Sequence, residues 1–417
     1  MSDHVVIVGA SVGGVRTAQE LRRLGFEGDV TVVGEESEQP YDKPPLSKQL
    51  LLGTQTEEEI SLLGDGGWEA INTRAKLGTR AESIDIDSMV VSLSDGDELD
   101  YDALVIATGV RPRSLAPGLT DLDSVYTVRE MRDSRALAAR AALGPVVVVG
   151  AGFIGAEVAS SLRNLGAEVT MTEALASPFA RVFGREVGGL VTDLHRSNGV
   201  DLVTQASVNA IEKSGDQTLV RLVDGRVLEA ATVVLGIGAT PNSEWLENSG
   251  LKIGDGVFVD AGCAVLASGF GPHAEGVYAI GDVARQVDPG TNKHYRVEHW
   301  TNAVEQAHVV ARQIVDPVAT PEPLKAPYFW SDQFGTKIQM VGRPHESTSV
   351  SLHHFEAGGI ERTAALYAYE GRLAAAVTFG WPRAIAACRS AWQTGTPVAE
   401  VLTKLRDLAD RAKPVSA

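Results

Sequence analysis

Apolar positions along the chain come in short unbroken runs, each closed by a glycine. Val5-Val6-Ile7-Val8 stops at Gly9, the run from Ala103 through Ala107 and Thr108 stops at Gly109, Val146-Val147-Val148-Val149 stops at Gly150, and Thr232-Val233-Val234-Leu235 stops at Gly236. Continuous, β-branched runs of this length predict strands buried on both faces of a parallel sheet. Helical segments follow two of them, Ala18 to Leu24 and Ala156 to Leu165, and each leads to a further strand, Val30 to Val33 and Glu168 to Met171. A strand–glycine turn–helix–strand unit therefore occurs twice, which is an internal duplication. Two polar, turn-rich stretches, 83–101 and 206–230, predict β-meanders. Pro321-Glu322-Pro323 predicts a linker. Beyond it the period changes to short alternating strands near 337–341, 350–355, 364–370 and 373–379. A closing helix follows, marked by Val398, Leu402, Leu405 and Leu408, with Pro397 suited to its first turn. The fold class expected is α/β, two Rossmann-like dinucleotide-binding domains and an α+β C-terminal domain.

The glycine turns carry the first chemistry. Gly150-Ala151-Gly152-Phe153-Ile154-Gly155 is a full GxGxxG between a strand and a helix, with Glu173 at the end of the next strand, 18 residues after Gly155. Such an acid accepts ribose hydroxyls and repels a 2′-phosphate, so the unit predicts NAD(H) rather than NADP(H). Gly9-Ala10-Ser11-Val12-Gly13-Gly14 departs from the motif at Ser11, where a missing Cβ normally lets backbone approach a pyrophosphate; Glu35 follows 21 residues after Gly14. This turn reads either as a second dinucleotide site or as an ordinary tight turn. Two sites in one chain suggest a flavoprotein, one site for FAD and one for the nicotinamide that reduces it. The strand Val277 to Ile280 ends in Gly281-Asp282. Asp282 is suited to a ribityl hydroxyl or the pyrophosphate, or else caps a helix.

Composition narrows the classes. The chain of 417 residues has a formal net charge of −17 and 44% hydrophobic residues, which sets aside disorder, nucleic acid and anionic membranes. No apolar run approaches the ~20 residues of a membrane-spanning helix. Met1-Ser2-Asp3-His4 leads straight into the first strand pattern and does not resemble a secretory signal, so a reducing cytoplasm is expected. The two cysteines, Cys263 and Cys388, are too far apart in sequence for a CxxC pair or a zinc site, and no metal site is expected. Each reads as a small buried side chain.

Further segments make the chain recognisable: Pro40-Tyr41-Asp42-Lys43-Pro44-Pro45-Leu46-Ser47-Lys48, Ala107-Thr108-Gly109, Glu157 after the second turn, Glu298-His299-Trp300-Thr301-Asn302-Ala303, and Phe329-Trp330-Ser331-Asp332-Gln333. With the glycine turns they resemble, over nearly the whole chain, the FAD-dependent NADH:ferredoxin reductases of the glutathione reductase-like fold. These are the putidaredoxin reductase-like enzymes and the reductase components of aromatic-ring dioxygenases. The resemblance implies a discontinuous FAD domain (1–112 and 244–320), an inserted NAD domain (113–243) and a C-terminal domain (321–417). It implies FAD contacts from Gly9, Ser11, Gly14, Glu35, Lys43, Lys48, Ala107, Thr108, Gly109, Arg129, Asp282 and Trp300. NADH contacts are implied from Gly150, Gly152, Phe153, Ile154, Gly155, Glu173 and Gly238. The chain departs from the family at Lys43, often Arg, at Cys263-Ala264-Val265-Leu266, which lacks an Arg-Thr pair, and at 268–274, a small insertion.

The same resemblance implies Lys48, Glu157 and Trp330 as catalytic residues. Lys48 and Glu157 would form an ion pair beside the flavin ring, though Glu157 also reads as an acid in a helix first turn. Asn302 and Glu305 have capping-box spacing, which predicts a helix N-terminus aimed at the flavin. Trp300 and Trp330 read as aromatic walls of the site or as core. Disulfide reductases of this fold carry a cysteine pair beside the flavin, and the related peroxidases and oxidases carry one early cysteine; residues 1–262 have none. The expected acceptor is therefore an iron–sulfur ferredoxin of [2Fe–2S] type, serving a cytochrome P450 or Rieske oxygenase. The alternatives are an NADH oxidase that uses oxygen, or an NADH sensor similar to apoptosis-inducing factor. A monomer or weak homodimer is expected. Arg296, Lys337, Arg343, Arg372 and Arg383 are candidates for a basic patch that docks an acidic ferredoxin.

Overall fold

The computed structural model describes residues 3–116, 122–268, 273–287, 293–319, 325–344 and 348–412. The linker expected at 321–323, and most of the insertion expected at 268–274, lie outside these residues. The chain divides into two compact units: 1–42, 57–111 and 239–325 form the first, and 43–56, 112–238 and 326–417 the second.

In the first unit five parallel strands run in the order Val277–Ala279, Ala103–Ile106, His4–Val8, Asp29–Gly34, Arg74–Leu77. The chain winds outward from the His4–Val8 strand in one direction, then returns to its other side, so the order reverses beside that strand. The carboxyl ends at such a reversal are where open α/β sheets bind ligands. Helix Val12–Arg23 buries Val15, Ala18 and Leu21 with Val5, Ile7 and Val30 of the sheet and Ala307, Val310 and Ile314 of helix Trp300–Val315. The expected meander at 83–101 is present as three antiparallel strands, Ala81–Asp85, Val90–Leu93 and Glu98–Asp100.

The second unit repeats the plan. Its parallel sheet runs Asp201–Thr204, Val169–Glu173, Val146–Val149, Thr232–Leu235, Val125–Tyr126. Helix Phe153–Asn164 packs Val158, Ala159 and Leu162 on it, and the second meander is present at Val208–Ser214, Gln217–Leu222 and Val227–Ala230. This unit also holds a five-stranded antiparallel sheet in the order Tyr328–Gln333, Thr336–Gly342, Arg372–Phe379, Ile360–Tyr369, Ser349–Ala357. Helices Pro382–Gln393 and Val398–Asp410 cover this sheet through Ile385, Cys388, Val401 and Leu405.

Several boundaries differ from the sequence reading, each for a local reason. The first helix begins at Val12, six residues before the expected start, and Gly13 and Gly14 lie inside it. Its glycines hide the apolar period but are required. A Cβ on Gly14 would stand 1.9 Å from the Gly9 carbonyl oxygen. The second helix likewise begins at Phe153, which moves Glu157 out of the first turn. Pro397 precedes its helix rather than entering it. Asn302 is not an N-cap: the helix starts at Trp300 with His299 as its cap residue. The Asn302 side chain donates instead to the Val297 carbonyl and to Gln306 Oε1, both at 3.2 Å. Helix Ala180–Ser197 was not visible in the pattern, since Gly184, Gly188 and Gly189 interrupt it. Gly188 is the tight one, where a Cβ would meet the Ser177 hydroxyl at 2.4 Å.

Candidate functional site

The two glycine turns have the same construction. Gly9 donates its N–H to Val33 O at 2.8 Å, and Gly150 donates to Thr172 O at 2.9 Å. Both have positive φ, +126° and +97°. A Cβ on Gly9 would sit 2.2 Å from Ala107 O, one on Gly150 2.4 Å from Gly236 O, and one on Gly155 2.0 Å from Gly150 O. Glycine is thus dictated at all of these positions by close backbone packing. The middle position is different. Gly152 has only Gly236 O near its missing Cβ, at 3.8 Å, so the space over the turn is open. Ser11 stands at the equivalent place with extended backbone, φ −114°, as Gly152 has at φ −78°. A serine there costs no backbone strain; the Ser11 hydroxyl makes no cap hydrogen bond to its helix. Neither helix has a side-chain cap or an acid in its first turn. Their first N–H groups and dipoles are therefore suited to an anion such as a dinucleotide pyrophosphate.

In the first unit the other expected FAD residues gather at the same sheet edge. The Ala107-Thr108-Gly109 segment leaves the strand next to His4–Val8, and Ala107 N bonds Val8 O at 2.8 Å. It is pinned by Asn242, whose Nδ2 donates to Thr108 O at 3.0 Å while the Thr108 hydroxyl donates to Asn242 O at 2.7 Å. Gly281, with φ +70°, turns the chain just beyond Val277–Ala279. Its N–H is held by Gln306 Oε1 at 2.7 Å, and Gln306 Nε2 donates to Gln286 at 3.1 Å. This buried amide network was not foreseen from sequence. It fixes Asp282, half-buried, at the edge. Glu35 is the first residue past the strand Asp29–Gly34 and is exposed, its carboxylate 3.9 Å from Arg80. Trp300 opens its helix and donates its indole N–H to Asp42 Oδ1 at 2.8 Å. Burial raises the pKa of Asp42, against the opposing effects of that hydrogen bond and Arg16. Burial also drives His299 down to about 4, so it is neutral.

In the second unit Glu173 is locked over its turn: Oε2 accepts from Ala151 N–H at 3.0 Å and Oε1 from Leu175 N–H at 2.8 Å. Phe153 lies in a ring cluster with Phe179 at 4.5 Å and Phe329 at 4.4 Å between centroids, while Ile154 is exposed at the helix start. Gly238 has φ +101° and accepts from Arg113 N–H. Lys43 begins the 3₁₀ turn Pro44–Ser47. Arg129 is half-buried and contributes its backbone N–H to Asp133, at the start of helix Met131–Arg140.

The expected Lys48–Glu157 pair is present and buried. Nζ lies 3.0 Å from Oε1, with side chains 7% and 5% exposed. The carboxylate is a four-donor acceptor: Ser47 Oγ donates to Oε2 at 2.5 Å, and Ser331 Oγ at 2.7 Å, Lys48 Nζ and the Asp332 N–H at 3.3 Å all reach Oε1. Only Lys48 and Glu157 were singled out from sequence as a pair; Ser47 and Ser331 stand in the quoted motifs, but their role is visible only once the chain is folded. Trp330 stands at the rim, its ring 5.9 Å from Lys48 Nζ and 5.7 Å from Lys337 Nζ.

The expected basic patch is corrected in part. Arg296 is not free: its side chain is 9% exposed and pairs with Asp255 at 3.1 Å and Glu298 at 2.7 Å. Lys337 pairs with Asp332 at 2.9 Å, and Arg372 donates to the Gly395 carbonyl. Arg383 is exposed. Both cysteines are buried; burial pushes the Cys388 thiol up to about 12 and raises Cys263 as well. Among the described residues no cluster of His, Cys, Asp and Glu could hold a metal ion, and no helix is long and apolar enough to cross a membrane.

Duplicated strand–glycine turn–helix units, the second with the Glu173 carboxylate hydrogen-bonded over its turn, are the construction expected of a two-dinucleotide oxidoreductase. Comparison with known proteins gives its kind. The Pyridine nucleotide-disulphide oxidoreductase family matches residues 3–307, and the Reductase C-terminal family matches 328–415. Putidaredoxin reductase of Pseudomonas putida is 35% identical over 352 residues, 82% of this chain and 80% of that protein. The anthranilate 1,2-dioxygenase system ferredoxin–NAD(+) reductase component of Burkholderia cepacia is 34% identical over 342 residues, 82% of each chain. Among solved structures, the covalent putidaredoxin reductase–putidaredoxin complex aligns with a TM-score of 0.89 at 30% identity, covering 98% of this chain and 99% of that one. The chain belongs to the pyridine nucleotide-disulphide oxidoreductase family, among its FAD-dependent, NADH-using ferredoxin reductases.

Proposed function

We propose that this enzyme takes hydride from NADH and delivers electrons singly to a [2Fe–2S] ferredoxin that serves a cytochrome P450 or a Rieske oxygenase. The observation that carries the reading is the pair of dinucleotide turns in a chain whose two cysteines are both buried. With its thiols held protonated, the protein has no thiolate to relay electrons, unlike disulfide reductases. Bound FAD supplies the conversion between a two-electron donor and a one-electron acceptor.

In this reading residues 1–112 and 244–320 hold FAD, 113–243 hold NADH, and 321–417 form the third domain. Gly9, Ser11 and Gly14 admit the FAD pyrophosphate, with Ala107, Thr108, Gly109 and Asp282 along the same edge. Glu35 takes the adenosine ribose, and Lys43, Arg129 and Trp300 complete the contacts. Gly150, Gly152 and Gly155 admit the NADH pyrophosphate beside Phe153, Ile154 and Gly238. Glu173 accepts the ribose hydroxyls and repels a 2′-phosphate. Lys48, held by Glu157, stabilises negative charge arriving on the flavin ring, and Trp330 forms the aromatic wall. The protein works in the cytoplasm as a monomer or weak homodimer.

Support comes from the locked carboxylate of Glu173, the buried Lys48–Glu157 pair and the relatives named above. The test is steady-state NADH oxidation with cytochrome c as final acceptor. Cytochrome c reduction that requires added ferredoxin is the expected result. Rapid peroxide or water formation without a carrier would identify an oxidase instead, and a long-lived charge-transfer complex without turnover would identify a sensor.

A further inference from the structure

The Glu157 carboxylate is one end of a longer buried chain in the second unit. Ser331 Oγ, 2.7 Å from Glu157, is 2.9 Å from Gln333 Nε2. Gln333 Oε1 is 2.9 Å from His195 Nε2. His195, Gln333 and Ser331 are each at most 1% exposed. His195 comes from helix Ala180–Ser197, Ser331 and Gln333 from strand Tyr328–Gln333, and Glu157 from helix Phe153–Asn164.

The direction of every bond is set by the charged end. Glu157 is paired with a lysine and faces only donors, so it accepts. The single Ser331 proton is then committed to Glu157, and its oxygen must receive a proton from Gln333. That fixes the Gln333 amide: the flipped orientation would set its carbonyl against a hydroxyl with no proton left to give. The Gln333 carbonyl must therefore accept from His195, which makes His195 the neutral Nε2–H tautomer. Among the described residues its buried Nδ1 has no hydrogen-bond partner, as suits an unprotonated ring nitrogen, and the Phe334 ring stands edge-on at 5.1 Å. Burial also lowers the pKa of His195, against the bond to Gln333.

We propose that His195 and Gln333 are positioning residues for the Lys48–Glu157 pair, the start of a one-way chain of buried donors, His195 to Gln333 to Ser331 to Glu157. The amide at its middle makes it a poor proton wire. It acts by orientation, holding the Ser331 hydroxyl as a fixed donor, so that the carboxylate and the ammonium it carries keep one position. The role rests on the function proposed above, in which Lys48 serves hydride transfer.

Two measurements test it. In FAD-loaded enzyme labelled with 15N-histidine, the His195 signal, identified by its loss in His195→Gln, is expected to be that of the Nε2–H tautomer at neutral pH. An Nδ1–H tautomer or an imidazolium would overturn the chain, whatever the reduction rates of the variants. In stopped flow, His195→Leu is expected to slow the limiting rate of flavin reduction by NADH about three- to ten-fold, less than the ~100-fold that a 1 Å misplacement costs. NADH affinity should change less than about two-fold, and His195→Gln, which keeps an N–H donor, should restore most of the rate. A His195→Leu enzyme reduced as fast as the wild type overturns the role alone. A wild-type enzyme that NADH does not reduce overturns the underlying function, and the role with it.

Discussion

Replacing Lys48 with methionine removes the cation of the buried ion pair, whose ammonium lies 3.0 Å from Glu157 and also 4.0 Å from Asp332 Oδ2. Methionine keeps an unbranched stem of similar length, so the main loss is the ammonium. Glu157, 4% exposed in the wild type, then keeps three donors, the Ser47 and Ser331 hydroxyls and the Asp332 N–H, and loses its lysine. Removing one partner of a buried pair costs about 3–5 kcal/mol, because the survivor is left desolvated and uncompensated. Three retained hydrogen bonds favour the lower end, about 3 kcal/mol. For a cooperative unit of roughly 150–250 residues each kcal/mol moves the melting midpoint by ~2–4 °C, so a fall of about 6–12 °C is expected. The assay is thermal unfolding of flavin-saturated protein at fixed FAD, since bound cofactor itself raises the midpoint. Adding Glu157→Gln should recover much of the loss, because a neutral amide needs no counter-cation, and the double-variant cycle then gives the coupling. Loss of less than 2 °C for Lys48→Met, or a double variant no more stable than the single one, would refute the claim that the pair is electrostatically coupled in a buried site.

Four further outcomes are expected. Glu173→Ala combined with Ala174→Arg should shift kcat/KM from NADH toward NADPH, by charge-assisted contacts of ~1.5–3 kcal/mol; a wild type with equal kcat/KM for both would show Glu173 to be misassigned. Gly152→Ala should fold normally and raise KM for NADH, because only the space over the turn is filled, whereas Gly150→Ala should fold poorly with its Cβ 2.4 Å from Gly236 O; equal melting midpoints for the two would contradict the packing argument. Asp42→Asn keeps an acceptor for Trp300 and removes a carboxylate whose folded pKa is raised by burial. That penalty is complete above the folded pKa and absent below the unfolded value of ~3.9, so the variant should gain stability on the wild type as pH rises through that window, checked by melting midpoints from pH 3 to 8. Arg383→Glu should raise KM for ferredoxin several-fold, more at low salt, and leave flavin reduction by NADH untouched; no change at low salt would remove Arg383 from the docking surface.

How much of this was legible in the sequence depends on how far apart the interacting residues lie. The glycine turns and their strands were readable because each is a local pattern, and the packing explains the glycines residue by residue: Gly14 against Gly9, Gly155 against Gly150. Helix starts were misread where those same glycines dilute the apolar period. Asn302 and Glu305 satisfied a spacing rule, but the rule carries no information about Val297 and Gln306, which take the Asn302 side chain. The polar centre was legible only as far as family motifs mark it. Glu157 meets Ser47 across 110 positions and Ser331 across 174, and His195 meets Gln333 across 138. No periodicity reports contacts at such separations; they exist because two parallel-sheet crossovers and an antiparallel strand deliver three elements to one place. Arg296 shows the same limit from the other side. An arginine in an acidic chain reads as surface charge, yet its two carboxylate partners, Asp255 and Glu298, draw it to 9% exposure. In this protein the glycine turns proposed to hold the dinucleotides are written locally. Those that set the electrostatics around Lys48 are written in the topology.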